Sequence, residues 1–258
     1  MRFRLKELRI DQKTRHQLSD KSRSSPAKYQ EIVVGKQGIL ALLHHELVIS
    51  LFGNFPGGLG FILRRLFYPS LFKQMGKGVI LGKDISLRSP QRIRLGERVA
   101  IDDGCLIDAR GDGETGVIIE EEVIFGRNCT IQAKYGPIRI GRKTNIGPHC
   151  VMSATSEVIL GEQLLIGALC YIGGGSYHSD RIDIPIMEQG VYSKGPVIIE
   201  DDVWIGAHSV ILAGVHIGRG AVIGAGSIVT RDIPTLSVAV GNPAKVIRKR
   251  GTRGKAAI

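Results

Sequence analysis

The sequence predicts an all-β fold, a parallel β-helix of about seven triangular coils that follows an amino-terminal helical segment. The strongest observation is that apolar residues recur at every sixth position between residues 75 and 230. Glycine is abundant, with 34 residues in a chain of 258, and aromatic residues make up only 5%. Much glycine with few aromatic residues is typical of a turn-rich repeat protein and untypical of a helical globule.

The repeat consists of six-residue units that form groups of three, each unit with one periodic apolar residue. The seven groups are Met75/Leu81/Leu87, Leu95/Ile101/Ile107, Ile119/Phe125/Ile131, Ile140/Ile146/Met152, Leu160/Ile166/Ile172, Ile199/Ile205/Ile211 and Ile217/Ile223/Val229. Glycine follows 12 of these 21 residues, and a small or aliphatic residue lies two positions before 20 of them. Since side chains two positions apart share one face of a strand, each unit predicts a short strand with two inward side chains and then a turn. Three units close one coil, and stacked coils bury one another's apolar residues.

The insertions between groups all follow the third apolar residue of a group, so they should leave the coils at a single edge. The longest insertion is the loop 173–196, which starts with three consecutive glycines and contains His178. Within this loop the run IDIPIM, residues 182–187, is apolar and predicts packing against a neighbouring subunit.

The positive charge of the chain is concentrated at its two ends. The formal net charge is +11, made up of +8 in residues 1–74, −3 in residues 75–230 and +6 in residues 231–258. Residues 231–258 are therefore interpreted as a basic carboxyl-terminal extension. Basic ends can contact phosphate in a cofactor, a lipid surface or a nucleic acid, and a solvated surface is the alternative. No base-stacking aromatic cluster is present, so we expect no nucleic-acid partner.

The amino-terminal region divides into a basic tail, residues 1–30, that we expect to be mobile, and a helical segment, residues 31–74. The helical segment has two interpretations: it caps the open end of the β-helix, or it contacts a membrane surface. Its most apolar window, residues 39–63, contains Glu46 and the breaker PGG, which makes it a poor transmembrane span. We expect a cytoplasmic protein, with contact at the inner face of the membrane as the alternative.

Cysteines and histidines suggest a metal site only weakly. The four cysteines lack CxxC spacing and each lies two positions before a third apolar residue, which predicts a buried column of small side chains; they are Cys105, Cys129, Cys150 and Cys170. A zinc site built from His149, His178 and His208 across subunits is an alternative.

Residues 200–250 contain the motifs DVWIG, IGAGSIVT and GNPAKVIR. This run resembles the hexapeptide-repeat acyltransferases, specifically the galactoside, maltose and polysaccharide O-acetyltransferase branch. The resemblance implies a left-handed parallel β-helix, a homotrimer with active sites between subunits, and acetyl-CoA as co-substrate without a required metal. Residues 1–74 have no counterpart in the small sugar acetyltransferases.

The resemblance also implies roles for individual residues. His178 corresponds to the loop histidine that acts as general base, and the backbone N–H of Ala207 to the oxyanion donor. The residues implied to bind coenzyme A are Trp204, Ala207, Ala225, Thr230, Arg231 and Arg248. The asparagine that contacts the acceptor sugar has no secure match, although Asn145 or His149 could substitute. Asp180 could orient the His178 imidazole, or it could be a solvated loop carboxylate.

These features favour an acetyl-CoA-dependent O-acetyltransferase acting on a hydroxyl of a sugar, or of a polysaccharide or lipid-linked glycan precursor. Neutral imidazole suits removal of the hydroxyl proton near neutral pH. The alternatives are a zinc enzyme of the carbonic-anhydrase type on the same fold, and a non-catalytic trimeric scaffold.

Overall fold

The structure, a computed structural model, describes residues 20–111 and 116–252. Most of the predicted mobile tail, from residue 1 to residue 19, lies outside the described residues. The described chain forms a triangular prism of short parallel strands, preceded by helices at one end.

Three sheets form the walls of the prism, and their strands run parallel except for the last strand of the second wall. The first wall contains Gln74–Met75, Ile93–Leu95, Val117–Ile119, Ile138–Ile140, Val158–Leu160, Val197–Ile199 and His216–Ile217. The second wall contains Ile80–Leu81, Ala100–Ile101, Ile124–Phe125, Asn145–Ile146, Leu165–Ile166, Trp204–Ile205, Val222–Ile223, Ser237–Val240 and Lys245–Lys249. The third wall contains Ser86–Arg88, Leu106–Asp108, Thr130–Ala133, Val151–Ala154, Tyr171–Gly173, Val210–Leu212 and Ile228–Val229. The predicted fold class, a parallel β-helix of about seven coils, is thus confirmed.

The predicted apolar ladder forms the core of the prism. Of the 21 periodic residues, all but Met75 are buried, and so are the 20 residues two positions before them. Matching residues of successive coils pair directly, as Ile119 pairs with Ile140 and Ile140 with Leu160. The long loop does not disturb this register, because Leu160 still pairs with Ile199. Each coil is therefore stabilised mainly by the burial of its apolar residues on its two neighbours.

The four cysteines form the predicted buried column, and all four are free thiols. Each Sγ donates to a glycine carbonyl of the next coil, at 3.1–3.4 Å. The hydrogen bond with Cys150, together with burial, raises the pKa of the Cys170 thiol. Buried thiols that donate hydrogen bonds to the backbone and are closed off from solvent are structural residues rather than nucleophiles.

The stacked strands continue beyond residue 230. Ile233 forms a parallel bridge with Ile217, and Ser237–Val240 pairs with Val222–Ile223 on the second wall. Lys245–Lys249 then returns antiparallel to Ser237–Val240, after a turn that contains a cis peptide bond between Asn242 and Pro243. Much of the stretch interpreted as a basic extension, 231–258, therefore closes the carboxyl end of the prism.

The amino-terminal helical segment covers the first coil. It contains helices α1 (Ser25–Tyr29), α2 (Ile39–Phe52) and α3 (Gly57–Phe67), with a π-helical turn at Gln30–Val34. Short 3-10 turns occur at Tyr68–Ser70, Pro90–Arg92 and Ile186–Glu188. The PGG breaker separates α2 from α3, and Pro56 is the residue directly before the first residue of α3. Among the described residues no single helix is long and apolar enough to cross a membrane. The helical stretches Ser25–Val34 and Ile39–Phe52 reach that length and apolar composition only when taken together, and the chain bends by 61° between them.

Contacts of the helices with the prism show how the cap is held. Val48 of α2 belongs to the same buried cluster as Val79 and Leu87 of the first coil. The backbone N–H of Ser89 donates to the Val33 carbonyl at 2.8 Å, and that of Asp84 to the Gly53 carbonyl at 3.1 Å. The helices thus cover apolar residues that the first coil would otherwise expose.

Candidate active site

The loop 173–196 leaves the prism at the edge between the third and first walls, as the insertion pattern predicts. Gly173 has φ of +106° and Gly174 has φ of +88°, a region that L side chains rarely adopt. A Cβ on Gly173 would overlap the Ser153 carbonyl oxygen of the coil below. The glycines are therefore required for the chain to turn away from the repeat.

Replacing Gly173 by alanine is expected to destabilise the fold by about 2 kcal/mol or more, because strained φ adds to the overlap with Ser153. The matched control is Gly190→Ala, since Gly190 has φ of +91° but a Cβ added there would meet no atom within 4 Å. Thermal unfolding of both variants measures the difference. Equal melting temperatures would show that the backbone overlap at Gly173 is relieved at no cost.

His178 lies near the base of the loop rather than at its tip. Ser176–Tyr177 pairs antiparallel with Val191–Tyr192, so the base of the loop is a two-stranded ribbon, and the His178 N–H donates to the Gly190 carbonyl at 3.1 Å. The exposed His178 imidazole lies against the Tyr192 ring, with centroids 4.7 Å apart and planes tilted by 33°. A solvent-accessible imidazole held by a ring on one face can exchange protons with a bound molecule.

Tyr192 is the residue of this site that sequence reasoning missed. It lies 14 positions after His178, and only the antiparallel pairing of Ser176 with Tyr192 brings the two rings together. Asp180 is exposed, and within the described part of the chain it makes no hydrogen bond to the His178 imidazole. In this structure, then, Tyr192 contacts the imidazole and Asp180 does not.

The outer part of the loop is ordered by its own polar contacts. The Arg181 guanidinium pairs with the Asp183 carboxylate, and the Gln189 amide donates to the carbonyls of Arg181 and Ile184, at 2.7 and 3.2 Å. By contrast, Ile182, Ile186 and Met187 of the run 182–187 are exposed, Ile182 fully so, whereas Ile184 is half-buried. The predicted packing of this run on another subunit stays a prediction.

Four of the six residues implied to bind coenzyme A lie on the second wall or in the turn that follows it: Trp204, Ala207, Ala225 and Arg248. Trp204 points outward and is 55% exposed, between Leu165 and Val222 of adjacent coils. Ala207 and Ala225 occupy equivalent positions of neighbouring coils, because the Gly226 N–H donates to the Ala207 carbonyl at 2.8 Å.

The backbone N–H groups of Ala207 and Ala225 are not used in the fold. Within residues 20–111 and 116–252, neither N–H donates to a carbonyl or to a side chain. An unpaired backbone amide at a turn can donate to a ligand oxygen without a change in the backbone. The structure therefore permits the oxyanion role implied for Ala207.

Thr230 and the two arginines implied to bind coenzyme A, Arg231 and Arg248, are exposed. Thr230 and Arg231 follow the third wall of the seventh coil, on the edge from which the loop also leaves. Arg248 lies opposite Val238 in the last strand pair of the second wall, and its guanidinium donates to the carbonyls of Lys249 and Thr252. Neither arginine forms an ion pair with a described carboxylate, so both are available to an anionic ligand.

Asn145 and His149, the weaker candidates for acceptor binding, lie on the same wall and turn as Trp204 and Ala207. Asn145 is separated from Trp204 by one coil, which carries Leu165. His149 has φ of +60° in the turn after the second wall, two coils below His208, which has the same φ. Two coils correspond to about 10 Å along the prism axis.

The candidate residues thus fall on two edges of one chain. His178, Thr230 and Arg231 lie at the edge between the third and first walls, whereas Ala207 and Ala225 lie at the edge between the second and third walls. No hydrogen bond or ring contact joins the loop to Trp204 or Ala207 among the described residues. A complete site would need the two edges of different copies to meet.

The three histidines of the zinc alternative are not brought together within one chain, and a site shared between subunits stays a prediction. Across the parts of the chain that the structure describes, no group of three histidine, cysteine or acidic side chains is placed to hold a metal ion. His149 and His208 are two coils apart and His178 lies on a different edge.

The repeat region is similar in sequence to known acyltransferases. A sequence profile described as "Hexapeptide repeat of succinyl-transferase" matches residues 196–231. The probable acetyltransferase Rv3034c of Mycobacterium tuberculosis is 39% identical over 128 residues, which are 50% of this chain and 42% of that protein. The 2,3,4,5-tetrahydropyridine-2,6-dicarboxylate N-acetyltransferase of Staphylococcus aureus is 47% identical over 83 residues, 32% of each chain. The chain thus spans less than half the length of these two relatives.

Among solved structures, the N-acyltransferase AntD of Bacillus cereus, in complex with dTDP and 3-hydroxybutyryl-CoA, has a TM-score of 0.48. It is 24% identical, and the match covers 69% of this chain and 84% of that chain.

Proposed function

Since the chain is a hexapeptide-repeat protein whose repeat matches acetyltransferases, we propose that it is an acetyl-CoA-dependent O-acetyltransferase. The acceptor would be a hydroxyl of a sugar, or of a polysaccharide or lipid-linked glycan precursor. The observation that carries the proposal is the exposed His178 imidazole, held against Tyr192 in the loop directly before the coil with the unpaired Ala207 N–H.

His178 would act as the general base. Its neutral imidazole accepts the proton of the acceptor hydroxyl while the hydroxyl oxygen attacks the thioester carbonyl carbon. A positioned base of this kind contributes about 10²- to 10⁴-fold to the rate. The tilted contact with Tyr192 would restrict rotation of the imidazole and so help to position its accepting nitrogen.

The Ala207 N–H would stabilise the negative charge that develops on the carbonyl oxygen during this attack. One such donor typically contributes about 10²- to 10³-fold. The carbon–sulfur bond then breaks, the coenzyme leaves as its thiolate, and the proton held by His178 neutralises the departing sulfur. Arg231 and Arg248 would contact phosphates of the coenzyme, and Trp204 would offer its exposed ring to the rest of that molecule.

The site would be completed by a second copy of the chain. This follows from the placement of His178 and Ala207 on different edges of the prism, and it agrees with the homotrimer that the sequence resemblance implies. A sugar acceptor rests on that same resemblance, and an amino group instead of a hydroxyl would require the same base.

The proposal is tested by release of free thiol from acetyl-CoA in the presence of a panel of sugars, amino sugars and glycan precursors. Turnover with a hydroxyl acceptor supports it, whereas turnover only with amino sugars would change the assignment to N-acetylation. Before any acceptor is known, acetyl-CoA at 100 times its dissociation constant should stabilise the fold by about 2.7 kcal/mol. No thermal stabilisation at any concentration would favour a non-catalytic scaffold.

A further inference from the structure

Helix α2 exposes a continuous row of leucines on the side that faces away from the prism. Leu40, Leu43, Leu47 and Leu51 are each 51–80% exposed, and their spacing places them on one helix face. The opposite side of α2 carries His45 and Val48, which are buried on the first coil. A helix that is apolar on both sides is normally covered on both sides.

Helix α3 adds a second exposed row. Its inner side carries Gly60 and Arg64, both buried, and its outer side exposes Leu59, Ile62 and Leu66. The rings of Phe52 and Phe67 stack with centroids 4.0 Å apart, which holds the two helices side by side. We call the seven outward side chains the apolar face; its members are Leu40, Leu43, Leu47, Leu51, Leu59, Ile62 and Leu66.

The segment that carries the apolar face has a net positive charge. Residues 31–84 contain six Lys/Arg and three acidic residues, Glu31, Glu46 and Asp84, and the Glu31 carboxylate pairs with Arg23. The Glu46 carboxylate accepts a hydrogen bond from the Tyr29 hydroxyl at 2.8 Å, so its charge is engaged within the segment. Lys36 and Arg65 are exposed and form no ion pair within the described ranges.

From this combination we propose that the apolar face rests on the surface of a bilayer that contains anionic phospholipid. Leucines would enter the boundary between headgroups and acyl chains, and Lys36 and Arg65 would contact lipid phosphates. A spanning arrangement is disfavoured because the inner side of α2 is packed on the prism through Val48. A second copy of the chain would bring like charges together, which disfavours pairing of two apolar faces.

The loop that carries His178 lies well away from the apolar face along the axis of the prism. The loop with His178 leaves the fifth coil, whereas the helices cover the first, so four coil steps of about 4.8 Å separate the two layers along the axis. The inference about the membrane does not depend on the acetyltransferase proposal, and its test does not use activity.

The test is cosedimentation of the full-length protein with vesicles of phosphatidylcholine alone and of phosphatidylcholine with phosphatidylglycerol. We expect binding mainly to the anionic vesicles. The double variant Leu43→Gln/Leu47→Gln should lower the partition coefficient about tenfold or more, since each leucine loses its burial in lipid. Lys36→Gln and Arg65→Gln should each lower it about fivefold on anionic vesicles only.

The matched control is Ile124→Gln/Leu165→Gln, which removes two similarly exposed apolar side chains from the second wall. This variant should bind vesicles like the unmodified protein, and circular dichroism should show that both double variants are folded. Equal binding of the leucine and control variants would overturn the proposal. The proposal would also be overturned if the protein self-associated without vesicles and the Leu43→Gln/Leu47→Gln change abolished this self-association. A second copy of the chain would then cover the apolar face.

Discussion

Replacing His178 by alanine is expected to reduce turnover with acetyl-CoA by about 10²- to 10⁴-fold, because the acceptor hydroxyl then lacks its general base. The imidazole is exposed and makes no hydrogen bond within the described residues, so its loss should leave the melting temperature and coenzyme binding unchanged. Thiol release measures turnover, and thermal stabilisation by acetyl-CoA measures binding.

The matched control for this change is His44→Ala. His44 is a similarly exposed histidine of α2, which covers the first coil, and its Nε2 lies 3.0 Å from the Ser70 hydroxyl, away from both edges that carry candidate residues. Its replacement should alter turnover by less than about twofold. Retained turnover in the His178 variant would remove the general base from the proposed mechanism while leaving the fold assignment intact.

Replacing Arg64 by methionine is expected to have the largest effect on stability. The Arg64 guanidinium is buried and donates to the carbonyls of Leu81, Phe52, Gly53 and Phe55, at 2.8–3.4 Å. It thereby joins the end of α2, the start of α3 and the first coil. Hydrogen bonds to a charged group contribute about 1.5–3 kcal/mol each, and of the four carbonyls only that of Gly53 would keep another donor, the Asp84 N–H. We therefore expect a loss of about 3 kcal/mol or more.

The loss should be concentrated in the cap, because the coils of a repeat fold are stabilised mainly by their own neighbours. Hydrogen exchange should show lost protection in α2 and α3 and little change beyond the third coil. The adjacent Arg65 is exposed, so Arg65→Met should change stability by less than about 0.5 kcal/mol. Equal protection of α2 and α3 in the two variants would mean that apolar contacts alone hold the cap.

The two arginines illustrate what sequence reasoning missed in this protein. Although the two residues are adjacent in sequence, consecutive helix positions point about 100° apart, so only one of them turns inward. Which one turns inward depends on where α3 docks, and this is set by Gly60, whose missing side chain leaves room for the Phe55 carbonyl. Likewise, Tyr192 reaches His178 only through ribbon pairing in the loop.

The sequence by itself determined the coils, their register, the buried cysteine column and the edge from which the loop leaves. It could do so because each of these depends on a six-residue period and on contacts between neighbouring coils, which are local in sequence. Only the tertiary structure decided the burial of Arg64, the contact between His178 and Tyr192, and the separation of His178 from Ala207. These depend on where non-repeating segments dock, and docking is governed by contacts between distant residues that follow no period.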